Sequence, residues 1–303
     1  MLLFYFTDYD AMACALLERS CLTSGRFAVN RYANQELYVT VPTRVPGEDC
    51  VILGSVAPPD EHLLSIMLLA HTLKKEGARR VTGLIPYLAY SRQDKRRAGE
   101  SIATAWVGSL FGVSGIDEIL TVDVHSQRDS DLFPIPLTSL STAELFADAI
   151  RQHGLTDAAI VAPDNGAIER CQRVMDAAGL GGRVVCCEKT RTTEGVTHTA
   201  VIADVGLTAI VIDDILDTGG TLVSACEKLR DRGVADIRIM VTHGLFTGSR
   251  WNKLWSLGVK TIFCTDTIAP CKEREPQAFV RLSVVPMLRA RLKEVNLDDQ
   301  GTH

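Results

Sequence analysis

The stretch Ala209-Ile-Val-Ile-Asp-Asp-Ile-Leu-Asp-Thr-Gly-Gly-Thr-Leu222 decides how this chain folds. Its first four residues are apolar and mostly β-branched, as expected of a parallel strand buried on both faces. Asp213 and Asp214 follow at the carboxyl end of that strand. Gly219 and Gly220 permit backbone conformations that a Cβ would hinder, so successive N–H groups can converge on one anion. A helix starting near Thr221 adds its positive end. Carboxylates repel phosphate but suit ribose hydroxyls or a bound magnesium ion, so a ribose 5-phosphate unit satisfies both halves of the motif.

Outward from this motif, strand-like and helical patterns alternate along the chain, the pattern of an α/β architecture with parallel strands. In the first half the pattern predicts a strand at the Met1 to Phe6 start. Strands over 51–54, 80–86 and 118–124 follow, with helices over 60–76 and 101–111. In the second half it predicts helices over 142–153, 165–178 and 219–232. The strands there are 158–162, 183–187, 209–213, 236–243 and 260–264. Pro134 and Pro136 make 133–141 the natural boundary. Two domains are therefore expected, 1–140 and 141–303, with the last helix able to pack back on the first domain and the tail after Glu294 frayed.

Composition narrows the class. The 303 residues, 46% of them hydrophobic, suffice for two cored domains. Lys and Arg number 32 against 37 Asp and Glu, a net charge of −5, which argues against a general nucleic-acid binder and leaves anion binding to local basic clusters. The nine cysteines include no CxxC pair and read as reduced, buried thiols. Met1 to Phe6 is too short to span a membrane and is followed by Asp8 and Asp10, so a cytoplasmic protein is expected.

Four further segments lie where predicted strands end, the edge at which open α/β sheets bind ligands. In Pro86-Tyr-Leu-Ala-Tyr-Ser-Arg-Gln-Asp-Lys-Arg-Arg97, aromatics precede Arg92, Gln93, Lys95, Arg96 and Arg97. Such a loop can stack a base and neutralise phosphates, or it can be a solvated basic loop. Thr121-Val-Asp-Val-His-Ser-Gln127 delivers Asp123 and His125, the latter a metal ligand or a plain hydrogen-bonded group. Val161-Ala-Pro-Asp-Asn-Gly166 places Asp164 where it can ligate Mg²⁺ or cap a helix. Glu188-Lys-Thr-Arg-Thr192 reads as part of a mobile loop whose Lys189 and Arg191 can point to one side over a transferring phosphoryl group; alternatively it is a charged hairpin tip. No GxxxxGK[ST] loop occurs, which excludes P-loop kinases, and no GxGxxG follows a strand to suggest a dinucleotide enzyme.

With these segments in this order, the chain resembles the ribose-phosphate pyrophosphokinases, the phosphoribosyl diphosphate (PRPP) synthetase family, over nearly its whole length. The resemblance implies two phosphoribosyltransferase-like α/β domains, each a mainly parallel sheet flanked by helices. It implies that Arg92 and Gln93 contact ATP, and that Arg31-Tyr-Ala-Asn-Gln-Glu36 is the adenine loop, with Tyr32, Asn34 and Glu36 at its key positions. That loop reaches a neighbouring subunit's site in the family, so a homo-oligomer of at least two chains is implied. His125 and Asp164 would bind the Mg²⁺ bridging the ATP phosphates. Lys189 and Arg191 would stabilise the transition state. Asp213 and Asp214 would hold ribose hydroxyls, directly or through a second Mg²⁺, and Asp217, Thr218, Gly219, Gly220 and Thr221 would cradle the 5-phosphate.

The implied reaction passes the β,γ-diphosphoryl group of MgATP to the anomeric hydroxyl of ribose 5-phosphate, giving PRPP and AMP. Two departures stand out. Asn34-Gln35-Glu36 replaces the usual Asp-Gly-Glu, so an amide stands where a carboxylate accepts from the adenine amino group, which opens the nucleotide preference. Thr190 stands where a basic residue is common. A PRPP-consuming phosphoribosyltransferase also fits the 213–221 motif but leaves Arg92, His125 and Lys189 idle. A catalytically silent regulatory subunit would have no chemical need for Lys189, Arg191, His125 and Asp164 together.

Overall fold

A computed structural model of the chain describes residues 1–18, 20–94, 98–192, 195–201, 205–269 and 278–300, with the side chains of 127–129, 188–201 and 295–300 outside the description. The chain divides into two compact units, one formed by Met1–Leu140 with Val285–His303 and the other by Ser141–Val284.

The first unit runs β1 (Leu2–Tyr5), α1 (Asp10–Leu17), β2 (Thr23–Ser24), β3 (Ala28–Arg31), β4 (Leu37–Thr40), β5 (Asp49–Leu53), α2 (Glu61–Lys75), β6 (Arg80–Leu84), α3 (Ala103–Ser114), β7 (Glu118–Val122) and β8 (Leu137–Leu140). Six strands form one parallel sheet in the order β2-β1-β5-β6-β7-β8, and β3 pairs antiparallel with β4 as a separate hairpin. Every residue of β5 is buried, as covering both faces of a parallel sheet requires. The expected boundary segment 133–141 holds a strand that the prolines concealed: Pro134 and Pro136 precede β8, and β8 pairs with β7 as an edge strand.

In the second unit come α4 (Ala143–Gln152), β9 (Ala159–Ala162), α5 (Ile168–Ala178), β10 (Val185–Thr192), β11 (Gly195–Val201), β12 (Thr208–Leu216), α6 (Gly220–Asp231), β13 (Asp236–Gly244), α7 (Lys253–Ser256), β14 (Val259–Thr265) and β15 (Phe279–Leu282). Their order in the sheet is β11-β10-β9-β12-β13-β14-β15, parallel except for the β10–β11 pair. Ala209, Ile210, Val211 and Ile212 of β12 are fully buried. Alternate residues serve opposite faces: Ala209 and Val211 join one core with Leu222, Cys226 and Ile239, while Ile210 and Ile212 join another with Phe146, Val174 and Phe263.

Three boundaries correct the sequence reading. The strand expected to end at Asp213 continues to Leu216, because β13 pairs with it as far as Gly244. The segment Glu188 to Thr192, expected on a mobile loop or at a charged hairpin tip, takes the hairpin form: it belongs to β10 and pairs with β11, with a bulge between Glu188 and Lys189. The tail expected to fray after Glu294 continues α8, Val285–Gln300, whose Leu288 and Leu292 are buried and which packs on α1.

Candidate functional site

The loop after β12 takes its shape from backbone constraints. Gly219 has φ +81°, the left-handed region, and caps the first turn of α6. A Cβ there would lie 2.7 Å from Trp251 Cβ and 2.9 Å from Trp251 Cα, so only glycine fits. The carbonyl of Leu216 accepts from the N–H groups of both Leu245 and Phe246, and the carbonyl of Asp217 accepts from Thr247 N–H. The segment following β13 therefore braces this loop. Phe246 holds φ +49°, costly for a bulky residue, and packs edge-on against Trp251 at 5.1 Å between ring centroids. The first N–H groups of α6 have no intrahelical acceptor and face the turn, the arrangement that receives an anion.

Asp213 and Asp214 lie within β12 rather than beyond it. Asp214 N–H donates to Asp213 Oδ1 at 3.0 Å, and the buried Arg170 guanidinium stands 3.7 Å from Asp214 Oδ2. Burial holds the Asp213 carboxyl well above the usual carboxylate range, and the Asp214 carboxylate pushes it further the same way. Arg170 opposes this rise, while Asp164 adds to it, so all four side chains share one neighbourhood of the second unit. Sequence reading missed Arg170. The signal was present: in α5 Arg170 occupies a stripe with Cys171, Val174 and Met175 that is otherwise apolar.

Asp164 has extended backbone and caps the short 3₁₀ turn that leads into α5, accepting from Gly166 N–H at 2.9 Å. The helix-cap alternative weighed for this residue is thus realised. Lys189 and Arg191 both lie on β10, paired across the ladder with His198 and Val196; their side chains lie outside the description. Cys187 and Cys226 are buried thiols, pushed by burial up to about 11 and about 12, so neither is a thiolate near neutral pH.

In the first unit, Arg92 and Gln93 follow Tyr90, whose φ is +69°. The Tyr90 hydroxyl donates to the Asp60 carboxylate, which pushes the phenol up to about 12, and Thr104 Oγ1 donates to the Tyr90 carbonyl at 2.9 Å. Ser101 Oγ donates to Gln93 Oε1 at 3.2 Å. Arg92 and Gln93 are exposed; Lys95, Arg96 and Arg97 lie outside the described residues. Asp123 follows β7 in the left-handed region with φ +37°, and the exposed His125 comes two residues later.

The residues from Tyr32 to Glu36 form the exposed turn between β3 and β4. Tyr32 stacks on Tyr38 with ring centroids 4.4 Å apart. Asn34 Oδ1 accepts from Glu36 N–H at 3.2 Å, so the turn itself engages the oxygen expected to face adenine. Arg31 Nη1 donates to the Gln35 carbonyl at 2.7 Å and pairs with Glu61. Among the described residues, no helix is long and apolar enough to cross a membrane, and no group of three or more His, Cys, Asp or Glu side chains is placed to hold a metal.

Comparison with known proteins places these features in a family. Residues 1–115 match the N-terminal domain of ribose phosphate pyrophosphokinase, and residues 196–282 match the phosphoribosyl synthetase-associated domain. A ribose-phosphate pyrophosphokinase of Maricaulis maris is 31% identical over 89% of this chain and 89% of its own length. One from Bacillus caldolyticus is 28% identical over 97% of this chain and 94% of its own. The crystal structure of phosphoribosylpyrophosphate synthetase from Mycobacterium smegmatis superposes with a TM-score of 0.88 at 26% identity, covering 98% of this chain and 99% of that one. The chain belongs to the ribose-phosphate pyrophosphokinase family.

Proposed function

We propose that the chain transfers the β,γ-diphosphoryl group of MgATP to the anomeric hydroxyl of ribose 5-phosphate, giving PRPP and AMP. The observation that carries this reading is the 213–221 segment, a carboxylate pair followed by a left-handed glycine and a helix start. It lies in a chain that matches proteins named ribose-phosphate pyrophosphokinase over most of their length.

In this reading Asp213 and Asp214 accept from ribose hydroxyls, and Asp217, Thr218, Gly219, Gly220 and Thr221 receive the 5-phosphate on N–H and hydroxyl donors. Arg92 and Gln93, with Tyr32, Asn34 and Glu36 of the adenine loop, hold ATP. The anomeric oxygen bonds to the β-phosphorus and the bond from that phosphorus to the α-bridging oxygen breaks. AMP leaves, and the hydroxyl proton passes to solvent. Lys189 and Arg191 offset charge on the transferred group, the main contribution a protein makes to phosphoryl transfer.

Magnesium fits the donor set. Mg²⁺ is commonly held by one or two carboxylates plus substrate phosphates rather than by an all-protein cage. The crowding that raises the Asp213 carboxyl is the kind a divalent cation relieves. Asp213 and Asp214 would hold one ion, and His125 and Asp164 the ion on the ATP phosphates, where it supplies neutralisation of developing negative charge. The reading includes a cytoplasmic setting and at least a dimer, with the exposed β3–β4 turn serving a neighbouring subunit.

The test is incubation of the purified chain with MgATP and ribose 5-phosphate while AMP and PRPP are followed. Both products should form, and Lys189→Ala should cut kcat by about 10²-fold or more with ribose 5-phosphate binding intact. Absence of AMP with several nucleotides sinks the reading.

A further inference from the structure

We propose that Arg250 is an additional ribose 5-phosphate ligand, a cation that closes over the 5-phosphate from the loop after β13. This deepens the reading above and rests on it for the identity of the sugar phosphate.

Three observations converge on Arg250. First, its guanidinium lies over Gly220: a Cβ built on that glycine would stand 3.4 Å from Nη1, 3.5 Å from Cζ and 3.9 Å from Nη2. Second, its position is fixed by the neighbour that fixes the glycine turn. Arg250 opens a short 3₁₀ turn with Trp251, and Trp251 packs directly on Gly219 while its Nε1 donates to the Gly248 carbonyl at 3.0 Å. One turn therefore shapes the phosphate loop and carries the guanidinium to it. Third, among the described residues no hydrogen bond or ion pair engages the Arg250 side chain.

Electrostatics supplies the reason for an anion. Gly220 is the first residue of α6, so Arg250 stands beside the positive end of a helix. Two positive poles side by side repel unless a negative group lies between them. A phosphate in the glycine turn meets the N–H groups of the helix start on one side and the guanidinium fork on the other, a geometry suited to Arg and poorly reproduced by Lys. The parallel register that pairs Leu216 with Gly244 brings the loop after β13 against the loop after β12, which is why a residue far along the chain enters this site.

The experiment uses the full chain and Arg250→Met, with Arg250→Lys as the milder variant. Ribose 5-phosphate is titrated by calorimetry in the presence of Mg²⁺ and an ATP analogue with a methylene in place of the α–β bridging oxygen. KM for each substrate is measured with true ATP. Arg250→Met should raise both Kd and KM for ribose 5-phosphate about ten-fold or more, with KM for ATP and the melting temperature unchanged; Arg250→Lys should recover part of the loss. Unchanged ribose 5-phosphate affinity in Arg250→Met overturns the assignment, as does a rise in both KM values together with a lowered melting temperature. A wild-type chain that binds ribose 5-phosphate without forming AMP refutes the proposed reaction alone, leaving Arg250 to be judged by calorimetry. No ribose 5-phosphate binding by wild type overturns both.

Discussion

At Asp213 burial and the adjacent Asp214 carboxylate hold the carboxyl well above its usual range. The native state therefore keeps a proton at a pH where the unfolded chain, titrating near about 3.9, has lost it. Stability from this group is complete below that unfolded value and is lost as pH rises through the native one. Asp213→Asn should accordingly melt at a higher temperature than ligand-free wild type near neutral pH, with the difference closing toward about pH 4. Mg²⁺ alone should raise the wild-type melting temperature and leave the variant nearly unmoved. Equal melting curves across this range would count against a crowded carboxylate pair. The residues of this site divide by how far apart their determinants lie. Asp213, Asp214, Gly219 and Gly220 could be read from one local segment, whereas Arg170 and Trp251 act through contacts between elements that no local pattern encodes.

The turn into α5 joins two roles in Asp164, which caps the backbone through Gly166 N–H and is proposed to ligate Mg²⁺. Asn caps about as well as Asp, while Ala loses a cap usually contributing about 1 kcal/mol. Asp164→Ala should lower both turnover and melting temperature, and Asp164→Asn should lower turnover with the melting temperature kept. Thermal melts beside steady-state rates separate the two, and equal destabilisation by both variants would remove the capping role. Elsewhere at this scale, the buried parallel strands were legible because their apolar runs end in turn signals. For the Glu188 to Thr192 segment the sequence left a mobile loop and a charged hairpin open, and the β10–β11 pairing realises the hairpin, because strand pairing depends on a partner as much as on the segment itself. The strand β8 was hidden for a similar reason: Pro134 and Pro136 mark an edge position rather than an end to regular structure.

Across the whole molecule, the first unit is discontinuous in sequence: the chain leaves it after Leu140 and returns at Val285. Its closing helix α8 buries Leu288 completely and packs on α1, where Arg289 donates to the Ala15 carbonyl. Leu288→Ala should therefore destabilise the protein by about 2–5 kcal/mol, measured by denaturant unfolding of the full chain. A loss no larger than that of an exposed substitution such as Leu64→Ala would show that α8 is dispensable to this unit. The sequence by itself determined the α/β class, the parallel strands and the glycine turn that follows the Asp213–Asp214 pair, because periodicity, glycine and carboxylate spacing are local properties. The tertiary structure alone decided that β12 carries its carboxylates inside the sheet, that Arg170 meets Asp214, and that Arg250 and Trp251 reach the glycine turn. Each depends on strand register and helix docking, which are set by burial across the sheet and not by neighbours along the chain.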